Sequence, residues 1–481
     1  MYTPTMLLAI LPEILLLTLG VTLLVVEPFW KAENRRNAGW LTFGGLLAVL
    51  ALSLLFARPA DPQTVFGGML RFDWYGFFFK MMFLFAAAAT SLFMMDHEKL
   101  GRRGESYLLL LATTLGMCLM ASSADLVMLY LAIETTSIPL YVLSGFMLDD
   151  KASTEAGFKY LLFGALTSAV LLYGFSLLFG FAGTTNLYAL KDALLAGRGM
   201  APMVFGVILL LLVGFGFKIS AVPFHFWAPD VYQGAPTPIT GFLSTASKAA
   251  GFAVLLRLFL AAFPGYANWP SILAVVATLT MTIGNLLALP QTNIKRLLAY
   301  SSVAHAGYAL IGVVAFSKLG VASVVFYLAA YIATNLLAFG AVMVFSRVTG
   351  LDDIKDFSGL SRRAPALGLA MLAAFLSLAG MPPFGGFVAK VIVFQAAVEE
   401  GLYALAIVGI LNSIVAVYYY LNVLKYVYLY RMDGENEEAH PIPLTRPYAI
   451  ALATLAFGVV LLGTLFGPWF EWSNLAALNL F

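Results

Sequence analysis

The sequence predicts an all-α integral membrane protein with about 14 transmembrane helices. The chain has 481 residues, of which 61% are hydrophobic and only 11% are charged, and its mean hydropathy is +0.91. A soluble domain carries about twice that charged fraction. Long apolar runs recur along the whole chain without the alternating pattern of membrane strands, so the runs favour helices over a β-barrel.

Each predicted span rests on a run of roughly 20 apolar residues, the length that crosses the hydrocarbon core. The spans are 6–26, 39–57, 75–95, 106–121, 126–147, 156–181, 202–221, 237–262, 271–289, 297–316, 319–346, 365–398, 402–430 and 448–468. The first span is not expected to be a signal peptide, because it contains Glu13 and lacks both a basic leader and a small-residue cleavage site.

Lysine and arginine are distributed unevenly among the predicted loops. Of 27 such residues, 15 follow odd-numbered spans and 5 follow even-numbered spans. The positive-inside rule therefore predicts cytoplasmic odd loops and both termini outside. The remaining cations lie within spans, and they are Lys80, Lys159, Lys218, Lys248, Arg257, Lys390 and Lys425.

Composition excludes several classes of function. The net charge of +2 gives no indication of a nucleic-acid partner. The single cysteine, Cys118, excludes a disulfide framework and an iron–sulfur cluster or cysteine-ligated zinc held by this chain alone. The sequence contains no Walker loop, dinucleotide-binding glycine fingerprint or zinc-protease motif.

Two spans combine a helix breaker with a lysine. In LLLLVGFGFKISAVPFHFWAPDVY (209–232), Pro223 follows Lys218 by five residues, and in LSLAGMPPFGGFVAK (376–390), Pro382 and Pro383 precede Lys390. The breaks lie about 160 residues apart, and YLLFGALTS (160–168) resembles YLAAYIATN (327–335) at an offset of 167. Paired interrupted spans are typical of repeated transporters whose ion path lies between the repeats.

This offset predicts four segments along the chain. Residues 1–105 hold helices 1–3, residues 106–262 a five-helix repeat broken near Pro223, and residues 270–430 a second repeat broken near Pro382. Residues 431–481 hold an acidic loop and helix 14. Five is an odd number of crossings, so the second repeat is expected to be inverted relative to the first.

Four ionisable residues in the spans are candidates for proton transfer: Glu134, Lys218, Lys248 and Lys390. A charge at the bilayer centre costs on the order of 3 kcal/mol, so such groups normally face the bundle interior or water. An ion pair at about 4 Å contributes roughly 4 kcal/mol at an effective dielectric constant of about 20. Forming or breaking a Glu134–Lys218 contact would therefore load or unload a proton near neutral pH. The alternative for each group is a structural ion pair.

Secondary candidates carry more balanced alternatives. His225, one turn beyond the first break, and His305, in LAYSSVAHAGYALIG, are either relays or packing residues. Lys159, one turn after Glu155, is either an interfacial pair or a functional group. The remaining span cations, Lys80, Arg257 and Lys425, lie near helix ends, where long side chains snorkel to the interface.

Three long motifs carry a resemblance to a known family: HFWAPDVYQGAPTPITGFLSTASKAAGF (225–252), KRLLAYSSVAHAGY (295–308) and SLAGMPPFGGFVAK (377–390). They resemble the subunit N family of the proton-translocating NADH–quinone oxidoreductase, respiratory complex I, over nearly the whole chain. The DVYQGAPTP segment and the lysine in the twelfth span favour subunit N over its paralogues L and M.

The resemblance implies an antiporter-like fold with two inverted five-helix repeats. It assigns proton translocation to Glu134, Lys218, Lys248 and Lys390, and further relay positions to His225, Lys295 and His305. It also implies an enzyme complex in a bacterial plasma membrane, with periplasmic termini here and with other membrane subunits as partners. NADH and quinone are its substrates, and FMN and iron–sulfur clusters lie in partner subunits. A cation/proton antiporter subunit and a membrane subunit of a related hydrogenase remain alternatives.

Overall fold

The computed structural model describes residues 4–31, 34–97, 99–196, 201–263, 269–431 and 441–480. Its helices and strands are α1 (Pro4–Ala9), α2 (Leu11–Val26), α3 (Asn37–Phe56), β1 (Gln63–Val65), β2 (Leu70–Phe72), α4 (Trp74–Met95), α5 (Gly104–Ser122), α6 (Leu126–Ser144), α7 (Lys151–Ala182), α8 (Leu187–Ala196), α9 (Ala201–Ile219), α10 (Trp227–Gly234), α11 (Thr237–Phe242), α12 (Lys248–Ala262), α13 (Trp269–Ala288), α14 (Ile294–Val314), α15 (Lys318–Thr349), α16 (Leu360–Arg363), α17 (Pro365–Ala379), α18 (Gly385–Glu399), α19 (Tyr403–Tyr428), α20 (Arg446–Thr464) and α21 (Phe466–Leu478). Most of the acidic loop, residues 432–440, lies outside the described residues.

The prediction of an all-helical membrane fold is confirmed. Within the described ranges, 13 helical segments are long and apolar enough to cross a membrane. The predicted span 365–398 is divided at its break into α17 and α18, each shorter than a full crossing. The predicted seventh span, 202–221, corresponds to α9 alone, which ends before Pro223, and the short helix α10 follows that break. The helices α8, α10 and α16 lie outside the predicted spans, and α21 extends beyond the last one; none of these was expected.

The centre of the bundle is formed by α4, α14, α15 and the stretch Thr237–Ala262, which runs from the start of α11 to the end of α12. The most apolar stretch of each is 94% buried, whereas only 22% of the stretch in α2 is buried. A π-helical turn, Leu243–Ser247, connects α11 to α12 and ends directly before Lys248. Such turns are often found at functional sites.

Several features of the first half recur about 167 residues later. The helices α7 and α15 each have 32 residues and start at positions 151 and 318. Each ends at a glycine in the left-handed region, Gly183 with φ 66° and Gly350 with φ 71°. Asp125 and Asn293 cap α6 and α14 by accepting two backbone N–H hydrogen bonds each, a common way to begin a helix. Both breaks contain a cis X-Pro bond, at Val222–Pro223 and at Pro382–Pro383.

Arg257 corrects one expectation, because it does not snorkel to an interface. Its side chain is 1% exposed, and it donates two hydrogen bonds of 2.7 and 2.9 Å to the carboxylate of Asp73. Arg71, on the antiparallel hairpin of β1 and β2, lies 3.2 Å from the same carboxylate. The side-chain oxygen of Asn479 accepts a hydrogen bond from the backbone N–H of Trp74 at 2.9 Å. These contacts join the hairpin, α4, α12 and the end of the chain.

Lys80 also differs from the snorkelling expectation. Its ammonium lies 2.7 Å from the carboxylate of Glu13, and both side chains are buried. It also donates to the carbonyl oxygen of Ala9 at 2.9 Å. This ion pair fastens α2 to the central helix α4. Lys425, in contrast, is exposed on α19, and its snorkelling stays a prediction.

Candidate functional site

The first break places Lys218 in the last turn of α9, with 7% of its surface exposed. Its ammonium donates to the hydroxyl of Ser137 on α6. Glu134 lies one turn earlier on α6, partly buried, and accepts a hydrogen bond from Ser168 on α7. Among the ion pairs of the described residues none joins Glu134 to Lys218 in this conformation, and each charge has a serine partner instead. The forming and breaking of their contact stays a prediction.

Lys248 lies deeper in the bundle, where it is 2% exposed. Its ammonium donates to the hydroxyl of Ser302 at 2.6 Å and to the carbonyl oxygen of the same residue at 3.0 Å. It also lies 5.8 Å from the ring centre of Tyr232, within reach of a cation–π interaction. Gly251, one turn along α12, makes room for Lys218, since a Cβ there would lie 3.3 Å from the lysine Cβ. Lys218, at the end of α9, therefore packs against α12 one turn away from Lys248.

His305 continues the row on α14, one turn after Ser302 and on the same face of the helix. Its Nδ1 lies 2.6 Å from the hydroxyl of Tyr327, and its Nε2 lies 3.1 Å from the hydroxyl of Tyr420. Tyr420 also shares a hydrogen bond with Ser301. Both ring nitrogens thus have hydroxyl partners that can donate or accept.

The second break places the ammonium of Lys390 against the carboxyl end of α17. It donates to the carbonyl oxygens of Leu378 and Ala379 at 3.0 and 3.1 Å, and to the hydroxyl of Ser413 at 2.9 Å. The last carbonyls of a helix lack helical partners and carry partial negative charge. Gly380 is required here, because its φ is +85° and a Cβ would lie 2.8 Å from the lysine Cδ. The broken helix therefore supplies the cradle for the lysine.

A small cavity lies between His305 and the second break. Its volume of about 10 Å³ matches the space that one water molecule needs. His305, Tyr327 and Tyr331 line one side, and Leu378, whose carbonyl binds Lys390, lines another. The cavity thus connects the histidine with the lysine cradle.

The three lysines of the row share one property. Among the ion pairs between described residues, none includes Lys218, Lys248 or Lys390. Their partners are hydroxyl and carbonyl oxygens, which are neutral. An ammonium without a counter-ion is costly to bury, whereas a neutral amine is not. Loss of the proton from one of these lysines would therefore break no ion pair that the described residues form.

Two of the remaining relay candidates, Lys159 and Lys295, are held in ion pairs outside the row. Lys159 forms the expected pair with Glu155 at 2.7 Å and a second pair with Asp230 at 2.6 Å. Lys295 pairs with Asp352 at 2.8 Å, ten residues before His305 on α14, a distance of about 15 Å along the helix. His225, 2% exposed, has no hydrogen-bond partner for its Nδ1 among the described residues. A buried nitrogen of this kind is expected to bind water.

Sequence reasoning missed the hydroxyl partners of the row. Ser137, Ser302, Ser413, Tyr327 and Tyr420 each contact one of its charged or titratable groups. Serine and tyrosine are common in membrane helices, so their positions give no signal without the fold. In the described part of the chain, no group of three or more His, Cys, Asp or Glu residues is arranged to hold a metal ion.

Comparison with known proteins gives consistent results. The family model described as NADH:quinone oxidoreductase/Mrp antiporter, TM, matches residues 123–416. NADH-quinone oxidoreductase subunit N of Moorella thermoacetica is 43% identical over 472 residues, which cover 98% of each chain. A chain of respiratory complex I from Thermus thermophilus with bound Aureothin has a TM-score of 0.80 and 35% identity, and the match covers 96% of this chain and 98% of that one. A chain of the Mrp complex from Dietzia sp. DQ12-45-1b has a TM-score of 0.87 at 22% identity, covering 100% and 98%, which shows likeness of fold alone.

Proposed function

The chain belongs to the family of membrane subunits that NADH:quinone oxidoreductases share with Mrp antiporters, and we propose that it is the proton-translocating subunit N of an NADH–quinone oxidoreductase. In this role it couples electron transfer from NADH to quinone, which takes place in other subunits, to proton movement across the membrane. Identity of 43% to a subunit N over nearly the full length supports this assignment. The likeness to the Mrp chain supports the fold only.

The observation that carries the proposal is the row of ionisable side chains from Glu134 to Lys390, which lie on adjoining helices inside the bundle, each with hydroxyl or carbonyl partners. Lys218 binds Ser137, one turn from Glu134, and packs beside the helix that carries Lys248. From Lys248 the row passes through Ser302 to His305. The water-sized cavity then joins His305 to the cradle of Lys390.

Proton transfer along this row follows from its chemistry. A proton arriving at Glu134 neutralises the carboxylate and removes its attraction for the ammonium of Lys218, which favours release of a proton from that lysine. A neutral Lys218 lowers the repulsion felt by Lys248, so Lys248 can take up the released proton. His305 and its two tyrosine hydroxyls provide the next donors and acceptors. Lys390, held by carbonyls, is the proposed last site of the row.

The proposed architecture has two inverted five-helix repeats, over residues 106–262 and 270–430. The helices α7 and α15 support it, because their starts and their terminal glycines are offset by 167 residues and both have 32 residues. Lys218 and Lys390 then occupy the broken helices of the two repeats, as expected for an ion path at a repeat interface. Both termini are proposed to lie on the periplasmic side of a bacterial plasma membrane.

Other subunits are proposed to supply the redox chemistry. FMN and iron–sulfur clusters belong to them, since a chain with one cysteine cannot hold a cluster alone. Adjacent antiporter-like and small membrane subunits are the proposed partners within the bilayer. A conformational or electrostatic change in those neighbours drives the row.

The test uses the assembled complex in proteoliposomes, with either Lys218→Ala or Glu134→Ala in this chain. We expect proton pumping per NADH oxidised to fall while the complex still assembles. Lys191→Ala, at an exposed position on α8, is the matched control. Unchanged pumping in an assembled Lys218→Ala complex would falsify the assigned role of that lysine. Purification of the chain as a free transporter, without flavin or iron–sulfur clusters, would instead favour the antiporter alternative.

A further inference from the structure

We propose that the end of the bundle formed by α15, α17 and α19 binds one anionic phospholipid. Three adjoining cavities lie there, and they differ in polarity from one end to the other. The proposal concerns a surface away from the buried lysine row, and it holds whether or not the chain moves protons.

The first cavity is basic. It has a volume of about 690 Å³, and its lining includes Lys355, Arg363, Arg431 and one acid, Asp356. Lys355 and Arg431, which are both exposed, outnumber the one carboxylate of this lining. The hydroxyls of Ser358 and Thr349 already donate to the carbonyl oxygens of Lys355 and Phe345. Basic pockets of this kind on the cytoplasmic side bind the head groups of acidic lipids. The loops that carry these cations are the ones predicted to be cytoplasmic.

The second cavity is an apolar groove of about 550 Å³ between α17 and α19. Leucines form most of its wall: Leu372, Leu376, Leu421, Leu424 and Leu429. The exposed Lys425 lines the groove and lies 4.9 Å from the ring centre of Tyr430, which itself lines the basic cavity. A groove with aliphatic walls between two membrane helices fits an acyl chain.

A third cavity, of about 250 Å³, joins the other two. It shares Asn422 with the apolar groove, and it shares Lys355 and Tyr426 with the basic cavity. The lining of this third cavity also includes the carboxylate of Asp353. The three cavities together form a site that is mostly apolar at one end and has more basic than acidic side chains at the other. The matching ligand has an aliphatic tail and an anionic head, which is the chemistry of an acidic phospholipid.

One competing occupant exists within the chain. The acidic sequence 432–440, with Asp433, Glu435, Glu437 and Glu438, follows Arg431 directly and matches the basic cavity by charge. It contains no aliphatic run to fill the groove, whereas a phospholipid satisfies both ends of the site. The lipid is therefore the occupant that the lining favours.

The experiment measures phospholipid bound to the purified, assembled complex. Complexes are delipidated, incubated with phosphatidylglycerol or phosphatidylcholine, and analysed by quantitative mass spectrometry of the retained lipid. The test variant carries Lys355→Gln with Arg431→Gln. The control carries Lys318→Gln, which removes an exposed cation at the opposite end of α15. Each juxtamembrane cation strengthens binding of an acidic lipid about 5-fold.

We expect the unmodified and control complexes to retain one more phosphatidylglycerol than the double variant, whose affinity falls about 30-fold for the two cations together. Equal retention by the double variant overturns the proposal. Equal retention of phosphatidylcholine also overturns it, because the head group would then not be read by charge. A third variant with Glu435, Glu437 and Glu438 changed to Gln tests the competitor. If retention of phosphatidylglycerol increases only when these carboxylates are removed, the acidic sequence occupies the cavity and the proposal is overturned.

Discussion

Replacing Gly380 by alanine tests whether the broken helix positions Lys390. Gly380 has a φ of +85°, a conformation that costs an L residue about 1–2 kcal/mol. The new Cβ would also lie 2.8 Å from the Cδ and 3.2 Å from the Nζ of Lys390. The flexible lysine can move away, but only by leaving the carbonyls of Leu378 and Ala379.

The second effect can be separated from the first by Gly350→Ala. Gly350 also ends a helix, with a φ of +71°, and a Cβ there would meet no atom within 4 Å. Both variants carry the backbone strain, and only Gly380→Ala displaces the lysine. Hydrogen bonds to a charged group contribute about 1.5–3 kcal/mol each. Loss of both hydrogen bonds should therefore make Gly380→Ala destabilise the chain by about 3–6 kcal/mol more than Gly350→Ala does.

The assay compares the two assembled complexes in thermal unfolding and in proton pumping per NADH oxidised. We expect Gly350→Ala to lower the melting temperature slightly and to leave pumping unchanged, and Gly380→Ala to lower both. If the two variants melt and pump alike, the carbonyl cradle does not hold Lys390 in a functional position, and the reasoning from the broken helix is refuted.

Two further predictions concern stability. Arg257→Met leaves the buried Asp73 with Arg71 alone and should lower the free energy of unfolding by about 3 kcal/mol. Proton pumping by the assembled complex should be retained. Recovery of stability on adding Asp73→Asn would confirm the cause, and an unchanged denaturation midpoint would contradict it. Burial, with the positive charges of Lys295, Arg347 and Lys99, lowers the pKa of His97 from 6.5 to about 4. The stabilisation from neutral His97 is therefore complete above pH 6.5 and is lost as the pH falls towards 4. His97→Asn should flatten the pH dependence of the melting temperature between these two pH values. An equally steep profile in the variant would argue against this role of His97.

The fold was largely predictable because its signals are local. Apolar runs mark the helices, and Pro223, Pro382 and Pro383 mark the two breaks without any knowledge of packing. The π-helical turn before Lys248 has no such signal, since STASKAAGF reads as an uninterrupted helix. The short helix α21 was missed because FGPWFEWSNLAAL continues the last apolar run without reaching the length of a crossing.

Pairing was the part that sequence could not supply. Asp73 and Arg257 are 184 residues apart, so nothing local shows that Arg257 is neutralised deep in the bundle. Proximity to a helix end therefore gave the wrong expectation of snorkelling. For Glu134 and Lys218 the sequence predicted a contact that forms and breaks, but not the groups that bind each charge. The structure gives Glu134 the partner Ser168 and Lys218 the partner Ser137, at positions that no spacing rule identifies.

The contact of Asn479 with Trp74 and Arg71 has a practical consequence for handling the protein. The segment around Asn479 is a fastening point, because its side-chain oxygen accepts a hydrogen bond from the backbone N–H of Trp74, the first residue of α4. An affinity tag on this side of the chain should therefore be joined through a linker that leaves Asn479 in place. Removal of Asn479 would leave that backbone N–H of a central helix without its acceptor.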